Sequence, residues 1–281
     1  MRKEVIVQKN PKSPTAEVFR TLRTNIQFIN SKKDLKTLLI TSTLPGEGKS
    51  WTSANLAVTF AEAGKKVVVI DADMRKGRQH SIFGVENEYG LSNFLSGIDN
   101  TGRVENADIT KYIQRTEVPN LYLISKGDTP PNPSELLASD ATMSMIADLE
   151  KIFDLIIFDG PPSLIVTDAL ILSRLVDSTI IVVEHNITKK DNLAKVKKDI
   201  ENVGGKIAGV VINKVPKQGK KYESTYYYNS EELTTTNKRG RRHQNYKKIN
   251  HNEVQAEENI TSDKKQEILD QINQYINKDK K

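Results

Sequence analysis

The chain has 281 residues, a formal charge of +6 and no cysteine. Its length suits one α/β domain with appendages, and the missing thiols exclude a disulfide framework or a thiolate metal site and favour an intracellular protein. No apolar stretch reaches the roughly 20 residues that span a bilayer, and Met1-Arg2-Lys3-Glu4 opens no signal-peptide core.

In chain order, residues 15–30 predict an amphipathic helix whose apolar stripe is Val18, Leu22, Ile26 and Ile29. Ser13 or Thr15 is its expected cap. Glu17, Arg20 and Arg23 lie three apart on one flank, and on physics alone they read as a solvated face with i,i+3 pairs. Strands are expected at about 36–42, 66–71, 121–125, 154–158, 178–183 and 207–212, with helical stretches between most of them. That alternation predicts a doubly wound, mostly parallel sheet with helices on both faces. Gly64 is placed as the stop of the helix after the first strand, and Ser134-Glu135-Leu136-Leu137 as a helix start.

The first strand runs into Ser42-Thr43-Leu44-Pro45-Gly46-Glu47-Gly48-Lys49-Ser50 and then a helix-patterned stretch from Trp51. Strand, Gly-rich turn and helix is the context in which backbone N–H groups converge on a nucleotide phosphate. Gly46, Glu47, Gly48, Lys49, Ser50 and Trp51 are the candidate phosphate-binding run, with Lys49 reaching the outer phosphates and the Ser50 hydroxyl on Mg²⁺. Thr43 stands where the common pattern begins with Gly. Two further apolar runs end in acid: Val67–Ile70 before Asp71-Ala72-Asp73, and Leu155–Phe158 before Asp159. In an open α/β sheet, ligands bind at the carboxyl ends of strands, so these acids are candidate holders of Mg²⁺. Taken singly, either acid fits a plain helix cap as well. Three such strand ends in one chain point to a nucleotide-handling site.

After Pro216 the composition changes. Residues 217–258 have almost no aliphatic side chains, and such a stretch is expected to be disordered. Four of the nine tyrosines cluster there, as Tyr222, Tyr226, Tyr227 and Tyr228. They read equally as exposed phosphate acceptors or as an aromatic contact strip, and the phosphate loop in the same chain tips the balance toward acceptors. Six Lys and Arg residues fall within 238–248. A solvated linker is the simplest reading, ahead of contact with anionic lipid, phosphotyrosine or nucleic acid. Ile268, Ile272 and Ile276 allow a short amphipathic helix within 262–278.

These motifs together resemble the bacterial tyrosine kinases of capsule and exopolysaccharide synthesis, of the kind made as a separate cytoplasmic protein. The Glu17-x-x-Arg20-x-x-Arg23 helix, the Walker A run 42–50, a second Walker motif at Asp71-Ala72-Asp73-Met74-Arg75 and a Walker B run at Asp159-Gly160-Pro161-Pro162 occur in that family's order, followed by the tyrosines. The resemblance implies a P-loop fold like that of division-site ATPases, with an N-terminal segment over 1–35, a kinase domain over 36–216 and a tail over 217–281. It implies ATP and Mg²⁺ as cofactors, with Lys49, Asp71, Asp73 and Asp159 catalytic and Ser50, Asp71 and Asp159 on the metal. It also implies autophosphorylation in trans at Tyr222 and Tyr226–Tyr228, and a ring-like homo-oligomer built through Glu17, Arg20 and Arg23. The implied partners are a membrane adaptor of the chain-length-regulator type, which recruits the protein peripherally to the membrane, and a cognate tyrosine phosphatase, with no specific nucleic acid. A partition- or positioning-type ATPase switch is the alternative on the same fold, and a nucleotide-binding adaptor without turnover is a third. Leu44, standing where those switches carry a Lys, speaks against the first alternative.

Overall fold

A computed structural model describes residues 4–29, 35–97 and 108–216. The tyrosine cluster, the basic block and the expected 262–278 helix lie outside the described residues.

In chain order the elements are α1 (Ile6–Lys9), α2 (Pro14–Ile29), β1 (Thr37–Ser42), α3 (Lys49–Glu62), β2 (Val67–Asp71), α4 (Gln79–Phe83), α5 (Leu91–Ser96), a 3₁₀ turn (Ile109–Tyr112), β3 (Gln114–Arg115), β4 (Leu121–Ile124), α6 (Pro133–Leu137), α7 (Asp140–Ile152), β5 (Leu155–Asp159), α8 (Asp168–Leu175), β6 (Ser178–Glu184), α9 (Lys190–Asn202) and β7 (Ile207–Asn213). Among the described residues the strands form one sheet in the order β3-β4-β2-β5-β1-β6-β7. Every pairing is parallel except β3 with β4.

The central strands are continuous apolar runs because both faces of the sheet are covered. Every residue of β1, β2 and β5 is buried. Alternate residues feed two cores. Leu38, Ile40, Val67, Val69 and Ile157 pack with α1, α2 and α3. Leu39, Val68, Ile70, Ile156 and Phe158 pack against the helices on the other face. The six expected strands are all present; β3, two residues long, is too short to carry a periodic signal.

Helix α2 forms where expected, and Ser13 is its cap: its Oγ accepts from the Ala16 N–H at 3.1 Å. The buried stripe matches the expected one only in part: Ile26 is buried and Leu22 packs against the same core, but Val18 and Ile29 do not join them. Ala16, Phe19 and Ile26 are the buried residues, whereas Val18 is 61% and Ile29 50% exposed. The Phe19 ring sets the helix rotation by meeting Trp51 of α3 edge to face, with centroids 5.1 Å apart. Residues near the N-terminus belong to the same core, since Val5, Val7, Ala16, Phe19 and Ile26 share it with α3. Asn55 of α3 fastens that segment: its Oδ1 accepts from Val7 N at 3.2 Å and its Nδ2 donates to Glu4 O at 3.0 Å.

This topology assembles one end of the sheet. The chain leaves β1, skips a position to β2 and later fills the gap with β5. The carboxyl ends of β1, β5 and β2 therefore lie side by side, with the β1–α3 turn above them. The β2–β5 register pairs Asp71 directly with Asp159.

Candidate active site

The turn between β1 and α3 owes its shape to two glycines and an acid. Gly46 and Gly48 hold φ of +87° and +99°, a region costly for other L residues. A Cβ on Gly48 would also lie 2.0 Å from Asn213 Nδ2. Gly48→Ala is therefore expected to lower the melting temperature by about 2–4 °C, for roughly 1 kcal/mol of strain in a domain of this size. It should weaken nucleotide binding as well, which thermal melts with and without ADP will measure.

Glu47 is buried and folds back onto its own loop. Its Oε2 accepts from Thr43 N at 2.7 Å and Leu44 N at 2.9 Å. Its Oε1 accepts from Thr43 Oγ1 at 2.8 Å and from the Thr188 hydroxyl. Its backbone carbonyl accepts from Asn213 Nδ2 at 2.8 Å. Thr43, in place of the usual first glycine, thus has its hydroxyl committed to this brace. Helix α3 starts at Lys49 behind the turn, with its first N–H groups at the head of the loop. The Trp51 side chain is turned to Phe19, so only its backbone belongs to the candidate phosphate-binding run.

Below the loop lie the acids. Strand β2 stops at Asp71, and the Ala72 and Asp73 N–H groups both donate to Asp159 O, at 3.0 and 3.1 Å. Asp73 sits in the following turn rather than on an extended strand. Its Oδ1 accepts from Lys76 N at 2.9 Å, and its Oδ2 takes Lys49 Nζ at 2.9 Å. Asp159 Oδ1 accepts from Ser53 Oγ at 3.2 Å. Lys49 Nζ also lies 3.5 Å from Ser50 Oγ. Lys49, Ser50, Asp71, Asp73 and Asp159 therefore converge at this end of the sheet.

Sequence reasoning missed Gln79 and Gly77. Gln79 is fully buried; its Nε2 donates to Asp159 Oδ2 at 2.8 Å and Ser50 O at 3.0 Å, while its backbone N–H donates to Asp71 Oδ2 at 2.8 Å. Gly77 lets the turn close over the acids, because a Cβ there would lie 2.2 Å from Asp71 Oδ1. No motif announces either residue: both act through the turn that returns the chain from Asp73 to α4.

The electrostatics follow from burial. Asp71 is held well above the usual carboxylate range by desolvation and then by the Asp159 charge, against the Gln79 N–H and Lys49. Asp159 is also raised, first by desolvation, with Lys49, Gln79 and Ser50 pulling it back. For Lys49, burial opposes the charge, but Asp159 and Asp73 outweigh it and the amine is raised. The site is thus one firm cation among carboxylates that lack enough positive charge.

Glu17 and Arg20 form the expected i,i+3 pair at 3.0 Å. Arg23 instead donates to Thr59 O, 2.9 Å away near the end of α3. The three do not meet the acids.

A mostly parallel sheet with a phosphate-type loop after β1 and acids at the ends of β5 beside it and of β2 beyond β5 is the architecture of a P-loop NTPase. Comparison with known proteins agrees. The AAA domain family model matches residues 18–210. The chain is 38% identical over 227 residues to the tyrosine-protein kinase YwqD of Bacillus subtilis, covering 81% of this chain and 92% of that protein. It is 41% identical over 202 residues to the tyrosine-protein kinase CpsD of Streptococcus agalactiae, covering 72% and 83%. The kinase domain of the Escherichia coli tyrosine kinase ETK superposes with a TM-score of 0.72 at 32% identity, covering 78% of this chain and 83% of that one. The septum site-determining protein MinD of Pyrococcus horikoshii, at 23% identity and a TM-score of 0.54, shares the fold alone. The chain belongs to the bacterial tyrosine kinases, and its enzyme class is protein-tyrosine kinase. Among the described residues no helix is long and apolar enough to cross a membrane.

Proposed function

We propose that this protein transfers the γ-phosphate of ATP to Tyr222, Tyr226, Tyr227 and Tyr228 of a neighbouring copy, and that this cycle regulates capsule or exopolysaccharide synthesis. The observation that carries the reading is the convergence of Lys49 with Asp71, Asp73 and Asp159 beside the phosphate loop. Lys49 is paired to Asp73 at 2.9 Å. With ATP bound, Lys49 would turn its amine to the outer phosphates and leave Asp73 free for the acceptor hydroxyl. The tyrosine oxygen then attacks the γ-phosphorus, the bond to the ADP oxygen breaks, and the phenolic proton passes to Asp73. With an unperturbed phenol pKa of about 10, that proton needs an acceptor.

The donor set suits Mg²⁺. Asp71 Oδ1 is buried with no hydrogen-bond partner among the described residues, and Lys49 does not offset the charge of the Asp71–Asp159 pair, since both acids stay raised. Ser50, Asp71 and Asp159 would hold the ion, which neutralises phosphate charge when bound. Among the described residues no group of three or more His, Cys, Asp and Glu could hold a metal by itself. Nucleotide phosphates and waters would have to complete the shell, as is usual for Mg²⁺. The residue span 36–216 is read as the kinase domain and 217–281 as its acceptor tail. Helix α2, through Glu17, Arg20 and Arg23, is read as the ring contact. A membrane adaptor of the chain-length-regulator type would recruit this cytoplasmic protein to the membrane, and a tyrosine phosphatase would reset it.

Replacing Tyr222, Tyr226, Tyr227 and Tyr228 together with Phe tests the division of labour. The expected result is loss of essentially all phosphotyrosine on the 217–248 segment, with ADP affinity within twofold of wild type. Undiminished phosphorylation of the variant would place the acceptors elsewhere. Steady ATP hydrolysis without phosphotyrosine in wild type would favour the positioning switch.

A further inference from the structure

We propose that Gln79 is a positioning residue that sets Asp71 and Asp159 for the divalent ion. The proposal rests on the Mg-nucleotide reading above and goes beyond it in assigning a residue outside the matched motifs. Gln79 is completely buried and joins three elements at once. Both protons of its Nε2 have acceptors: Ser50 O in the first turn of α3 at 3.0 Å, and Asp159 Oδ2 at the end of β5 at 2.8 Å. Its backbone N–H holds Asp71 Oδ2 at the end of β2 at 2.8 Å. One residue thereby ties the phosphate helix to both candidate metal carboxylates.

The chemistry favours an amide at this position. A neutral group with two N–H bonds on one atom can serve a carbonyl and a carboxylate together. Lys or Arg would add a charge that competes with the metal, and Glu would offer acceptors to acceptors. The two acids are cross-strand neighbours in a buried setting, so they repel when both are ionised. Gln79 fixes them without neutralising them, leaving that charge for a cation. The amide oxygen Oε1 has no hydrogen-bond partner among the described residues. The side chain is therefore oriented by its donor side alone.

Groups that orient metal ligands typically matter 10–100-fold for metal affinity. The test titrates Mg²⁺ into the full-length protein bound to a fluorescent ADP (methylanthraniloyl-ADP), in wild type, Gln79→Met and Gln79→Asn. Gln79→Met keeps the volume and loses the donors. Gln79→Asn keeps an amide that stops one methylene short, and it carries the test if the Met variant does not fold. The expected result is a Mg²⁺ half-saturation raised about tenfold or more in Gln79→Met, and by less in Gln79→Asn. Mg-free ADP affinity should stay within twofold in both. Unchanged half-saturation in the folded variants overturns the proposal, as does an equal loss of Mg-free and Mg-dependent binding, which marks a purely structural role. A wild-type protein indifferent to Mg²⁺ defeats the Mg-nucleotide reading itself, and this assignment with it.

Discussion

Lys49→Met is expected to lower the rate of tyrosine phosphate formation by about 10²–10³-fold, the usual effect of removing a preorganised group that meets developing charge. Phosphoryl transfer depends on positioning and on neutralising the phosphates, and the Lys49 amine is paired to Asp73 and feels the charges of Asp159 and Asp71. The same change should cost stability. Lys49 and Asp73 side chains are only 11% and 4% exposed. Removing the amine leaves Asp73 without its partner and Asp71 and Asp159 without their main opposing charge, a loss of up to about 3 kcal/mol. Because the amine is raised from its ordinary value, its contribution is present throughout the neutral range and is lost only as pH climbs through the folded value above 10.5. Thermal melts and single-turnover phosphorylation of the same samples measure the two losses together.

Asp71→Asn is expected to do the opposite to stability while also abolishing most transfer. The Asp71 carboxyl is raised by desolvation and by Asp159, so the folded chain holds a proton that the unfolded chain releases. Stability therefore falls as pH rises from about 3.9, the unfolded value, through the folded value. The amide removes that fall and can still accept from Gln79 N. We expect the nucleotide-free variant to melt about 2–4 °C higher than wild type near pH 8, for a gain on the order of 1 kcal/mol. The gap should narrow as pH falls toward 4 and close below the unfolded value, where the wild-type acid is protonated in both states. Saturating Mg-ADP should reverse the order, since ligand at 100 times its Kd adds about 2.7 kcal/mol to the protein that binds it. A variant less stable than wild type at every pH would contradict this account of the acid pair. The two substitutions together separate charge shortage from simple structural damage, which would lower stability in both.

The acids were legible in the sequence because a β-branched run that stops abruptly at Asp can hardly continue as a buried strand. Asp71 and Asp159 both mark such an end, and the parallel register then brings them together. The rotation of α2 was legible only in part, since Leu22 and Ile26 face the core but Val18 does not. Val18 and Phe19 are both apolar, and only the ring of Trp51, which lies some thirty positions later, selects Phe19. Glu47 could be placed in the loop, but its brace depends on Thr188, brought over from the far end of β6. Gln79 escaped for a similar reason. Its meaning comes from a tight turn that needs Gly77 beside Asp71, and neither residue belongs to a periodic pattern. Residues whose role is set by their own strand or helix could be read in advance. Those whose role is set by a returning loop could not.

The central claim is that the tail tyrosines are acceptors for this site. Its most direct test is incubation of full-length protein with Mg-ATP, followed by mass spectrometry of peptides from 217–248, beside Lys49→Met. The account predicts phosphate on Tyr222 and Tyr226–Tyr228 in wild type and its near absence in the variant. Equal phosphate in both proteins, or none in wild type even with an adaptor segment supplied, would contradict it.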